Sequence, residues 1–153
     1  MIQYTYNYME VNSVRFTTYP WYNCLAWAFS QILSKQLPYQ FRKYVLNYKL
    51  PISDAFKQKA DEFGVSVKQI DNWEELKAYQ SGFIVYGYFF EEKREGFHTT
   101  YENSGFHVVL WNNQILAHQN GCGITPTTTT MGELQKMGYT NPKYFAVISQ
   151  KQD

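Results

Sequence analysis

The chain reads as an α+β domain, and three observations predict it. In the first half, apolar residues recur at three- and four-residue steps, as on one face of a helix. In the second half, the apolar runs are β-branched and aromatic, with the texture of strands. An asparagine-marked reversal, Asn112-Asn113, joins two of those runs as a hairpin. Helices followed by an antiparallel sheet define the class, and its 153 residues suit one domain over 1–153.

Residues 1–20 set Tyr6, Tyr8, Val11, Val14 and Phe16 among polar residues without helical period, which predicts an extended leader with a short edge strand. Leu25, Ala28, Phe29 and Ile32 then share a buried helix face, so a helix is expected over about 23–35. Phe41, Tyr44, Val45 and Tyr48 suggest a second helical stretch, which Pro51 interrupts. Ser53 is placed to cap a third helix that runs to Phe63 and stops at Gly64. A short strand through Val65, Val67 and Ile70 follows. Asp71 with Glu74 has the form of a capping box opening a short helix over 72–80.

From Gly82 the run Phe83 to Phe90 predicts a central strand buried on both faces. Glu91 to Gly96 is charged enough to be a solvated turn or hairpin tip. Phe106–Trp111 and Gln114–His118 are the two strands of the predicted hairpin. Gly121, Gly123, Pro126 and Thr127 to Thr130 suggest a loop. Thr130 with Glu133 repeats the capping-box pattern, opening a helix that Gly138 ends, and Lys143–Ile148 closes the chain as a strand.

Composition narrows the function. Lys and Arg number 14 against 13 Asp and Glu, so no basic surface points to nucleic acid. Two cysteines are too few for a disulfide framework. The amino terminus lacks a cationic region followed by an apolar stretch, so no secretory signal is expected. No apolar run approaches the ~18 residues of a membrane helix, and a soluble protein is expected. Ring content is high, with 14 Tyr, 11 Phe and 4 Trp, more than a core needs. Tyr19, Trp21, Tyr22 and Trp27 cluster around one cysteine and suggest a groove walled by rings.

That cysteine, Cys24, falls in the first turn of the first helix, where free N–H groups and the helix dipole favour a thiolate. His107 opens one strand of the predicted hairpin and His118 closes the other, so their backbones should be neighbours. A cysteine nucleophile needs a base, and the base works better when a third group fixes its ring. Cys24 as nucleophile, His107 as base and His118 as orienter meet that need. Asn23 and Gln119, with Asn120, Tyr19 and Tyr22, are candidates for holding substrate or an oxyanion, while Asn23 can equally cap the helix and Gln119-Asn120 form a plain turn. Cys122 and His98 are assigned no chemistry. Cys24, His107, His118 and Cys122 lack the close paired spacing of structural zinc, so neither a metal nor another cofactor is expected.

The segment Phe106-His107-Val108-Val109-Leu110-Trp111, followed by Ile115-Leu116-Ala117-His118, resembles the histidine hairpin of the NlpC/P60 cell-wall peptidases. Those are papain-like enzymes with Cys, His and His in this chain order. The likeness covers the Cys24 helix and residues 105–120. Leu25-Ala26-Trp27 follows the cysteine where the family carries small residues, and the interval to His107 is long. C39-type peptidases share the same layout. The resemblance implies a papain-like fold and a cysteine hydrolase cleaving amide bonds, with peptides of bacterial peptidoglycan as substrate. Such an enzyme would be cytoplasmic or delivered by a phage or a secretion apparatus. The alternatives are a cysteine peptidase or deamidase acting on a protein, and a catalytically inactive binding module. Oligomeric state is not legible in the sequence.

Overall fold

The structure is a computed structural model that describes residues 8–11, 14–17, 19, 21, 23–38, 40, 43–47, 49–88, 91–95, 98–102, 105–119 and 126–150. It is α+β. A hairpin of β1 (Tyr8–Val11) and β2 (Val14–Thr17) precedes α1 (Cys24–Leu33) and α2 (Ile52–Glu62). Then come β3 (Val65–Ile70), α3 (Trp73–Leu76), β4 (Ser81–Tyr88), and the pair β5 (Glu91–Glu95) and β6 (His98–Glu102). The chain closes with β7 (Gly105–Asn112), β8 (Ile115–Gln119), β9 (Pro126–Thr128), α4 (Met131–Lys136) and β10 (Lys143–Gln150). Six strands form one antiparallel sheet in the order β3-β10-β4-β7-β8-β9. Among the described residues, no helix is long and apolar enough to cross a membrane.

Alternation along the strands divides the core in two. On one face Phe83, Val85, Val108, Leu110, Ala117 and Phe145 pack beneath α1 and α2. On the other, Ile84, Tyr86, Val109, Trp111, Leu116 and Ala146 meet Leu76 of α3 and Leu134 of α4. Helix α1 is buried all round, with only Leu33 of its residues outside the buried set. Its neighbours explain this: Phe16 of β2 meets Trp27, and Phe56 of α2 stacks on Phe29. A helix so enclosed has no solvent face, and even its polar Ser30 and Gln31 lie inside, with the Ser30 hydroxyl donating to Trp27 O.

Several elements depart from what the sequence suggests. No helix forms among the described residues of 40–50, although Phe41 and Tyr48 lie outside them. Local bonds compete there: Lys43 N–H donates to Gln40 O at 3.0 Å and Lys49 N–H to Asn47 Oδ1 at 3.1 Å. The Lys59 ammonium takes the Lys43 carbonyl at 2.8 Å, and Tyr44 is buried as a core ring instead of lying on a helix face. Pro51, and not Ser53, precedes α2; Ser53 Oγ instead accepts from Gln69 Nε2 at 3.1 Å. The cap of α3 is Asn72, one residue beyond Asp71, with its Oδ1 accepting from Glu75 N–H at 2.9 Å. Glu74 pairs with Lys77.

The charged segment 91–95 is a strand paired with β6, and Pro126–Thr128 is an edge strand on β8 where a loop was expected. The hairpin reversal falls at Asn113 and Gln114, both at positive φ (49° and 69°), one residue later than Asn112-Asn113. Asn112 stays in the ladder because it pairs with Ser81, whose hydroxyl donates to Asn112 Oδ1 at 2.6 Å.

Candidate active site

Cys24 is the first residue of α1, and Asn23 is its cap. The Asn23 side chain accepts from Ala26 N–H at 2.9 Å and donates to Tyr44 O at 3.1 Å. Its amide is thus engaged in structure, the capping role of its two sequence readings. The Tyr44 hydroxyl in turn donates to Pro38 O. These bonds fix where α1 begins against the segment from Pro38 to Tyr44.

The ladder between β7 and β8 runs from Asn112↔Ile115 to Leu110↔Ala117. Beyond it, the Val108 N–H donates to Cys24 Sγ at 3.4 Å. The sulfur therefore sits against the peptide that joins His107 to Val108. Burial is the larger influence on the thiol and pushes its pKa up to about 11, with N–H groups of Val108, Leu25 and Cys24 pulling the other way. The sulfur thus meets a backbone donor in a site that water barely reaches, for Cys24 is 7% exposed.

His107 and His118 are brought together as the sequence led one to expect: His107 Nε2 lies 2.7 Å from His118 Nδ1. The register extends to set His118 beside Val109, so the two rings meet on the diagonal of one face. His107 stacks on Tyr139 with ring centroids 4.4 Å apart and planes 11° from parallel. Tyr139 belongs to the core beneath α4, as do Val109 and Leu116, so both imidazoles lie on the face opposite α1. Burial, then the neighbouring His118, drive the His107 pKa down to about 3. Burial lowers that of His118 too, opposed by the Glu133 carboxylate on α4. Both rings are neutral near pH 7.

The contact that a cysteine nucleophile needs with its base is not made. Among the described residues no hydrogen bond joins Cys24 Sγ to an imidazole nitrogen. Residue alternation is the reason: the thiol approaches β7 from the Val108 side, while His107 projects from the other. Gln119 is wholly buried in β8 and reaches neither histidine ring through the bonds described. Its Oε1 accepts from Asn23 N–H at 3.0 Å and its Nε2 donates to Trp21 O at 3.3 Å. Tyr19 is a core ring, edge-on to Trp21 and Tyr44, and so does not wall an open groove; Trp21 is 39% exposed. Tyr22, Asn120 and Cys122 lie outside the described residues, as does the side chain of His98.

The sequence reasoning missed Tyr139 and the clamp made by Gln119. The signal for Gln119 was its place directly after His118 on a strand, which turns it to the Cys24 face. Nothing in the sequence marks Tyr139 as a partner of His107. Among the described residues no group of three or more His, Cys, Asp or Glu could hold a metal ion. Neither family models, curated proteins nor solved structures match this chain.

Proposed function

We propose that the chain is a papain-like cysteine hydrolase that cleaves amide bonds, with Cys24 as nucleophile, His107 as base and His118 as orienter. The observation that carries this reading is the 2.7 Å bond between the two imidazoles, with the Cys24 sulfur seated on the peptide next to one of them. In the working tautomer His107 Nε2–H donates to His118 Nδ1, which leaves the His107 Nδ1 lone pair for the thiol proton. Sγ attacks the carbonyl carbon as its proton passes to Nδ1. Backbone N–H groups at the start of α1 would stabilise the oxyanion that results. Nδ1 then returns the proton to the departing amine, and water, deprotonated by the same nitrogen, hydrolyses the thioester. For this step the His107 ring has to leave Tyr139 and turn to the sulfur's side of β7, a larger rearrangement than the tightening of a long catalytic bond.

The substrate follows from resemblance to the NlpC/P60 peptidases: peptide bonds in the stem of bacterial peptidoglycan. Incubation with cell-wall sacculi should release new amino termini without new reducing ends, and Cys24→Ala should release none. Silence on sacculi of several wall chemistries would overturn the peptidoglycan assignment; if Cys24 is nonetheless reactive, a protein-directed peptidase or deamidase takes its place. The second reading is a catalytically inactive binding module. The observation that favours it is the thiol pKa of about 11 with neither His107 nor His118 bonded to the sulfur.

A further inference from the structure

Strand β8 carries two consecutive buried polar side chains that serve opposite layers, His118 toward His107 and Gln119 toward α1. Gln119 spends both ends of its amide on the backbone just before the nucleophile. Oε1 holds Asn23 N–H at 3.0 Å and Nε2 holds Trp21 O at 3.3 Å, bonds that span 96 and 98 residues of sequence. A buried primary amide satisfied in this way fixes position in two directions, since moving either partner leaves a buried polar atom unpaired. The segment it grips is the entry to α1, whose register against β7 decides whether the Val108 N–H meets the sulfur, as it does at 3.4 Å.

We propose that Gln119 is the positioning residue of the nucleophile: by clamping Trp21 and Asn23 to β8 it holds Cys24 Sγ against the Val108 N–H, and it ties the thiol to the same strand that carries His118. The inference rests on the reading of Cys24 as the reactive group, but not on turnover. Gln119→Leu removes both bonds. Gln119→Glu keeps the acceptor for Asn23 N–H, loses the donor to Trp21 O and sets a negative charge beside the thiol.

The test is the pH profile of Cys24 alkylation by iodoacetamide, read by mass spectrometry in a Cys122→Ser background that leaves one thiol. In both variants the profile should move to higher pH by about one unit, so that alkylation at a fixed pH below the midpoint falls about tenfold. Asn72→Ala serves as a control, because it weakens the cap of α3 and should lower the melting temperature without moving the profile. If Gln119→Leu fails to fold, Gln119→Glu decides. A folded variant whose profile is unchanged, or moves to lower pH, overturns the proposal. A shifted profile in a protein with no hydrolytic activity would leave the clamp standing and remove the hydrolase reading instead.

Discussion

On the α1 face of the six-stranded sheet, a thiol lies among rings and aliphatic side chains, with the Val108 N–H donating to it and Gln119 bonded to Asn23 just before it. On the α4 face, two imidazoles share one hydrogen bond, with Tyr139 stacked on one and the Glu133 carboxylate acting on the other. One half positions through main chain, the other through side chains. The wall between them is a single layer of β7 and β8, and alternation sends His107 and Val108, or His118 and Gln119, to different sides. Chain order and proximity of three residues therefore do not specify a triad. The face on which each residue emerges has to agree as well.

The largest expected effects break one face at a time. Cys24→Ala should abolish amide hydrolysis and leave the melting temperature within a few degrees, because it exchanges one small side chain for another at a helix start. His107→Ala should lose more turnover than His118→Ala, the base contributing more than its orienter; assays on purified variants decide this. On stability, Phe56→Ala removes a ring that packs against Phe29, Phe83 and Phe145 and should cost about 3–5 kcal/mol by denaturant titration. A cost below about 1 kcal/mol would mean that the α1 face is not the tightly packed one.

The α4 face should announce itself through pH. His107 has a folded pKa near 3 against an ordinary value of 6.5, so below about 6.5 the unfolded chain takes up a proton that the fold refuses. Stability is then fully present above pH 6.5 and falls as pH drops toward 3. Denaturant midpoints at pH 7.5 and at about pH 4.5 should differ more in the wild type than in His107→Gln. The smallest effect is at α4 itself, where Thr130→Ala loses the bond from Glu133 N–H at 3.1 Å and should cost about 1 kcal/mol.

Much of this was legible in the sequence because local chemistry agreed with the fold. The period of Leu25, Ala28, Phe29 and Ile32 gave α1, Thr130 with Glu133 gave the start of α4, and the run 83–88 gave a strand of the central sheet. Failures came where a long-range partner outweighed a local pattern. Tyr44 has helical spacing with Val45 and its neighbours, yet burial beside Tyr19 and Phe63 holds it in a turn. The reversal slid to Asn113 because Ser81 keeps Asn112 in the ladder. The histidine pair was legible from hairpin logic. The separation of thiol and imidazole was not, since it depends on which face of β7 receives α1.

The central claim is that the two faces act on one reaction, and the rate of Cys24 alkylation in Cys122→Ser tests it most directly when His107 is also changed to Gln. A thiol with a pKa of about 11 is ionised to only about one part in a thousand at pH 8, and an imidazole with a pKa of about 3 does not take its proton in the resting site, so prompt labelling near neutral pH requires a rearrangement that brings His107 to the thiol and raises its basicity. The account predicts a wild-type rate that falls at least about tenfold in His107→Gln. Equal rates with and without the imidazole would contradict it and leave Cys24 a buried structural thiol.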